Sequence, residues 1–214
     1  MAGMRRNGPW ITRGSRVAYE NPWVRVEHDA VTRPDGSPGA YGVVRFANLA
    51  VGVLPLFADG TVPLVGQHRY PFDAYSWELP EGGCPLGSEG GAPEGEDAEA
   101  AARRELAEET GLAASDLLEI GRAHLSNSVT DERAVMYLAW GLTEGVATPD
   151  ADEVLAHRRV PFAALVDACL SGAITDAFTQ LMVLTALAHA QRGALPDAPT
   201  RLILDRTTKM KAVP

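Results

Sequence analysis

The 214-residue chain has no lysine- or arginine-rich block, and its nineteen basic residues are outnumbered by twenty-eight acidic ones, for a net charge of -9. A nucleic-acid backbone is therefore not an expected partner, because such binding is carried by clustered cations. No stretch approaches the roughly 18 consecutive apolar residues of a membrane span. The opening "MAGMRRNGPW" carries arginines without the apolar run of a signal peptide, so a cytoplasmic protein is expected. Only two cysteines are present, Cys84 and Cys169, in no metal or redox spacing, which points to free thiols rather than a bridge. Internal repeats are also lacking. With 46% hydrophobic and 22% charged residues, the chain can still bury one substantial core.

Alternating or β-branched runs occur at Trp23 to Val31, Tyr41 to Ala47, Ala50 to Phe57 and Thr61 to Tyr70, separated by turn clusters such as "RPDGSPG" and "ADG". These predict antiparallel sheet in the front third. A helix is predicted from an N-cap at Asp97 to Thr110, stopped by Gly111. Two strand-like runs follow, "LLEIGRAHL" and "RAVMYLAWGL", then a short strand near Leu155 to Val160. One helix is opened by Pro161 and closed by Gly172, and a last one runs within Asp176 to Gly193. The stretch Gly82 to Glu96 is glycine-rich enough to be read as loop throughout, and the tail "RTTKMKAVP" as frayed. The order of elements predicts an α+β layered fold.

The stretch "AARRELAEETGL" places Glu105, Glu108 and Glu109 within one predicted helix. Projected at about 100° per residue, Glu105 and Glu109 fall about 20° either side of Ala98, inside the small apolar stripe of Ala101, Ala102 and Leu106. Glu108 lies at its edge. A glutamate run is ordinarily a solvated face. Here two carboxylates at i and i+4 face the protein, where like charges without a counterion are costly. A hard divalent cation, Mg²⁺ or Mn²⁺, removes that cost, because carboxylate oxygens are its preferred ligands.

These residues resemble the Nudix box: Gly90, Glu96, Arg104, Glu105, Leu106, Glu108, Glu109, Gly111 and Leu112 occupy its fixed positions. The resemblance extends from about Asn48 to His189 through "VGQHRYPFDAYSWELPEGG", "SNSVTDE" and "SGAITDA", segments similar to those of Nudix hydrolases acting on ADP-ribose and other nucleoside diphosphate sugars. It implies an α/β/α sandwich with a mixed sheet, preceded by a small antiparallel N-terminal β region. The corresponding division is residues 1–47 for that region, serving dimerisation and part of the nucleotide pocket, 48–193 for the hydrolase domain, and 194–214 for a C-terminal tail. One departure is the glycine-rich insertion around Ser88 to Gly95, which leaves two registers for the start of the box, Gly90 by spacing and Gly82 or Gly83 by structure.

The resemblance also implies roles. Glu105 and Glu109 would be the principal Mg²⁺ ligands, with Glu108 a ligand or water activator, while Glu96 and Arg104 would form the box's internal salt bridge. Glu153 is favoured over Asp152 as general base. Arg69 would contact a phosphate bidentately and Glu78 would line the substrate cleft. Trp77 would stack on a base or belong to the core, and Glu132 would serve the ribose or metal side of the cleft, in a segment whose serine and asparagine can alternatively just satisfy a turn. Trp10 and Trp23 lie in the N-terminal sheet region, and His68 reads as a partly buried strand histidine. The implied reaction is Mg²⁺-dependent hydrolysis of a nucleoside diphosphate sugar by a homodimer. Alternative substrates are NADH and dinucleoside polyphosphates, and the alternative class is a non-catalytic nucleotide-sugar sensor.

Overall fold

The computed structural model describes residues 4–87, 97–149 and 154–205. The chain divides into two compact units, the first comprising Met1–Leu49, Pro85–Glu94 and Ala123–Ala134, and the second Ala50–Cys84, Gly95–Arg122 and Val135–Pro214.

The first unit is built on an antiparallel sheet of β1 (Arg5–Asn7), β2 (Trp10–Glu20), β3 (Val24–Thr32) and β4 (Pro38–Phe46), in that order. Its turns follow from local chemistry. Asn21 Oδ1 accepts the backbone N–H groups of Trp23 and Val24 between β2 and β3. Asp35 Oδ1 accepts both the backbone N–H and the hydroxyl O–H of Ser37 between β3 and β4. The strand β2 was absent from the sequence reading for a physical reason. Most of its residues are exposed, so no apolar alternation marks it.

The second unit holds the greater part of a sheet ordered β8 (Glu81–Pro85), β5 (Asn48–Pro55), β10 (Arg133–Glu144), β9 (Leu112–His124), and the whole of another ordered β11 (Ala156–Pro161), β6 (Thr61–Arg69), β7 (Ala74–Glu78). Both central strands are covered on two faces: Val51, Val53 and Leu54 of β5 and Val62, Leu64 and Val65 of β6 are fully buried. Each such side chain contributes about 1.5–3 kcal/mol of burial. The helices are α1 (Ala98–Thr110), α2 (Phe162–Ser171), α3 (Ala177–Gln191) and α4 (Asp197–Leu204). Against β5, α3 approaches so closely that a Cβ on Gly52 would meet Met182 and Phe178 at 2.7 Å.

The predicted caps of α1 hold: Asp97 accepts the Ala100 N–H at 2.7 Å, and Gly111 closes the helix in the left-handed conformation. Two expectations are corrected. Gly82 to Pro85 are strand rather than loop, because β8 pairs beside β5 and its glycines make room for a carboxylate from α1. In the tail region after residue 193, α4 forms and packs on α3 with Pro199 and Ile203 buried. The tail sequence "RTTKMKAVP", Arg206 to Pro214, lies outside the described residues.

Candidate active site

The site in the second unit begins with the inner face of α1. Ala101, Ala102 and Leu106 are buried, and Glu109, only 3% exposed, lies among them as the helical projection requires. Glu105 Oε1 accepts the Gly83 N–H at 3.1 Å, and Glu109 Oε2 accepts the Glu81 N–H at 3.2 Å. The i, i+4 carboxylates thus address successive outward N–H groups of one strand, β8. The fit leaves no room on the intervening residue, since a Cβ on Gly82 would stand 2.1 Å from the Glu105 carboxyl carbon. Glu108 is half-exposed and pairs with Arg104 Nη1 at 2.8 Å. The same guanidinium reaches Glu105 Oε1 at 2.9 Å and donates to the Gly83 carbonyl at 3.0 Å. Burial pushes the Glu105 carboxyl above the usual carboxylate range, against the pull of Arg104.

A second group of charges lies on the β11-β6-β7 sheet. Arg69, at the end of β6, donates through Nε to both oxygens of Glu78 at 2.9 and 3.1 Å, pairs with Glu78 through Nη2 as well, and reaches Glu81 Oε1 at 3.1 Å. The hydrogen bonds to Glu78 hold Arg69 protonated above its ordinary range. The residue expected at a phosphate is therefore engaged with two carboxylates, and Glu78, expected along the cleft, is a buried ion-pair partner. Trp77 projects from the opposite face of β7, edge-on to Tyr75 at 5.6 Å and beneath the Arg158 guanidinium at 5.4 Å.

Sequence reasoning missed Glu81 and Asp176. Among the described residues, Glu78, Glu81 and Asp176 form the group of three whose potential ligand atoms all lie within 4.8 Å of one another. Asp176 caps α3 by accepting the Thr179 N–H at 2.6 Å, and the Thr179 hydroxyl accepts the Leu79 N–H at 2.9 Å. This tie brings the start of α3 to the turn between β7 and β8. Burial, then the charges of Asp176 and Glu78, push the Glu81 carboxyl well above its ordinary value, and its Oε2 is buried without a hydrogen-bond partner. The donor set is that of a hard divalent cation: carboxylates alone, several desolvated, with fewer arginines than acids.

Glu132 belongs to the first unit, where it lines a cavity of about 970 Å³ together with Arg25, Arg45, Phe46 and His124. Burial raises its carboxyl pKa. Glu96, Asp152 and Glu153 lie outside the described residues.

Residues 47–178 match the NUDIX domain. The chain belongs to the NUDIX family. Residues 10–44 match the nucleoside diphosphate sugar hydrolase N-terminal domain, which covers most of the first unit's sheet. An ADP-ribose pyrophosphatase of Mycobacterium tuberculosis is 30% identical over 204 residues, covering 94% of each chain. An RNA pyrophosphohydrolase of Caulobacter vibrioides is 47% identical over 68 residues, 32% of this chain and 34% of that one. A crystal structure of an ADP compounds hydrolase superposes with a TM-score of 0.71 at 20% identity, covering 85% of this chain and 95% of that one, which shows the shared fold. This NUDIX protein is accordingly an enzyme, a Nudix hydrolase. Among its described residues, no helix is long and apolar enough to cross a membrane.

Proposed function

We propose that this Nudix hydrolase cleaves the diphosphate of ADP-ribose or a related nucleoside diphosphate sugar, with Mg²⁺, giving a nucleoside monophosphate and a sugar phosphate. The observation that carries the reading is the pair Glu105 and Glu109, one helical turn apart, inward-facing and each anchored to β8. The similarity to an ADP-ribose pyrophosphatase along nearly the whole chain, N-terminal sheet included, supports the substrate class. A divalent cation held there would neutralise charge on the diphosphate oxygens and polarise the bond to be broken.

The protein's own residues supply the rest. Glu105 and Glu109 are the principal cation ligands, and Glu108 is a third ligand or water activator. Arg104 ties Glu105 and Glu108 to β8 through the Gly83 carbonyl, so the carboxylates are set before substrate arrives. Glu153 takes the proton of the attacking water, whose oxygen forms the new bond to phosphorus as the bridging P–O bond breaks. Glu132 is the further residue proposed to bind the nucleotide sugar. We also propose that the enzyme is a cytoplasmic homodimer, with the β1–β4 sheet at its interface.

The deciding experiment incubates purified protein with ADP-ribose, other nucleoside diphosphate sugars, NADH and diadenosine polyphosphates, with and without Mg²⁺. Metal-dependent release of AMP and ribose 5-phosphate is expected. Glu109→Gln should lose about 100-fold or more in kcat, since a cation's charge stabilisation is worth several kcal/mol. Saturable binding of a nucleotide sugar with no turnover of any compound would replace this reading with that of a sensor.

A further inference from the structure

The last turn of a helix leaves four carbonyls without an intrahelical partner. In α1 two of these groups, the carbonyls of Glu108 and Glu109, are taken up by later parts of the chain. The Ala107 carbonyl accepts the Gly111 N–H at 2.9 Å within the cap, but the Glu108 carbonyl accepts the Thr148 N–H at 2.9 Å. Just beyond, the Gly111 carbonyl accepts the Gly145 N–H at 2.7 Å. The Glu109 carbonyl is met by a side chain, His157 Nε2, at 2.6 Å.

His157 is placed by register. It sits on β11 opposite Val65 of β6, and Val65 sits opposite Glu78 of β7. These three share one face of the sheet, the face from which Arg69 and Glu78 also project. The imidazole therefore reaches the helix end from the same surface that carries the Arg69–Glu78 pair. Glu109 is consequently held at two points by two strands: its carbonyl by His157 of β11, and its carboxylate by the Glu81 N–H of β8. Glu105, one turn earlier, is held by Gly83 and Arg104 and receives nothing from His157.

We infer that His157 is a positioning residue for Glu109: by bonding the Glu109 carbonyl it fixes the C-terminal turn of α1 and, with it, the carboxylate that ligates the cation. The inference rests on the reading of Glu109 as a cation ligand. The bond requires a hydrogen on Nε2, which either the Nε2–H tautomer or the imidazolium supplies. Without it, the last turn is free to tighten or rotate, and the buried carboxylate moves with its own backbone.

The test compares His157→Phe, which keeps a ring but lacks the donor, with His157→Gln, whose amide N–H reaches a similar distance. His157 is an exposed residue on an edge strand, so both variants should fold, as circular dichroism and Tm will show. Mn²⁺ binding to the substrate-free protein, read by electron paramagnetic resonance of the unbound ion, is the primary measurement. Outer partners of metal ligands are worth about 10–100-fold in affinity. His157→Phe should weaken Mn²⁺ binding about tenfold and raise the half-saturating Mg²⁺ in ADP-ribose hydrolysis to match, with KM for ADP-ribose at saturating Mg²⁺ unchanged. His157→Gln should recover most of the loss. Wild-type Mn²⁺ affinity in folded His157→Phe, or an equal loss in both variants, overturns the inference. Glu109→Gln runs alongside: if it binds Mn²⁺ undiminished, the cation reading itself has failed, whereas weakened binding there with no effect at His157 removes the positioning role alone.

Discussion

Gly82 has no room for a side chain, yet what a methyl group would strike is the end of the Glu105 side chain rather than backbone. Gly82→Ala should therefore leave stability nearly intact and displace the carboxylate. Expected are an unchanged urea midpoint together with a loss of Mg²⁺-dependent turnover comparable to that of Glu105→Gln; retention of turnover would show that Glu105 is not needed where it stands. Glu81 yields a different signature. Its carboxyl is raised in the folded state by burial and by Asp176 and Glu78, so its ionisation opposes folding. The contribution of the protonated form is complete below the unfolded carboxylate pKa and is lost as pH rises through the folded one. With divalent cations chelated, Glu81→Gln should match wild type in Tm near pH 4 and exceed it increasingly toward neutral pH, each kcal/mol appearing as about 2–4 °C for a chain of this size. A gain that does not vary with pH would refute the assignment. The inward-facing Glu105 and Glu109 were legible from helical periodicity alone. Glu81, Asp176 and His157 were not, because their relation to the site is made by strand register and by the docking of α3, which no local spacing records.

At the scale of elements, the two ends of α1 differ in what a substitution would meet. Asp97→Ala removes an N-cap hydrogen bond and should cost about 1 kcal/mol. Gly111 and Gly172 both end helices at positive φ, 71° and 78°, so alanine at either incurs about 1–2 kcal/mol of left-handed strain. At Gly172 nothing lies within 4 Å of the added carbon, whereas at Gly111 it would stand 2.7 Å from the Ala147 nitrogen and 2.9 Å from the Gly145 oxygen. Gly111→Ala should thus be clearly the more destabilising of the two in urea unfolding; equal costs would mean that the 145–147 backbone yields freely. Both glycine stops and the Asp97 cap were readable because a cap is a local contract between a residue and its own helix. The strand β8 was not, since its glycines are explained by the Glu105 carboxylate, 22 residues beyond Gly83 in sequence, and α4 was not, because eight residues with an internal proline carry too short a period.

The two units differ sharply in what they bury. Of the buried hydrophobic residues among those described, Val31 and Ala134 belong to the first unit and all the others to the second. A four-stranded sheet with so small an interior lacks the hydrophobic face that independent stability demands. Val17, Tyr19 and Trp23 are meanwhile 42%, 57% and 67% exposed on or beside its strands. In the proposed homodimer these exposed side chains would lie at the interface with the second copy. Light scattering should then give twice the monomer mass of 22.8 kDa. Because association stabilises the folded state by mass action, Tm should fall on dilution toward the dissociation constant. The double variant Tyr19→Ser, Trp23→Ser should shift the population to monomer and lower Tm, while the Mn²⁺ affinity of the second unit stays at its wild-type value. A monomeric mass at all concentrations, with a Tm independent of dilution, would mean that the sheet is stabilised within a single chain and would withdraw the dimer.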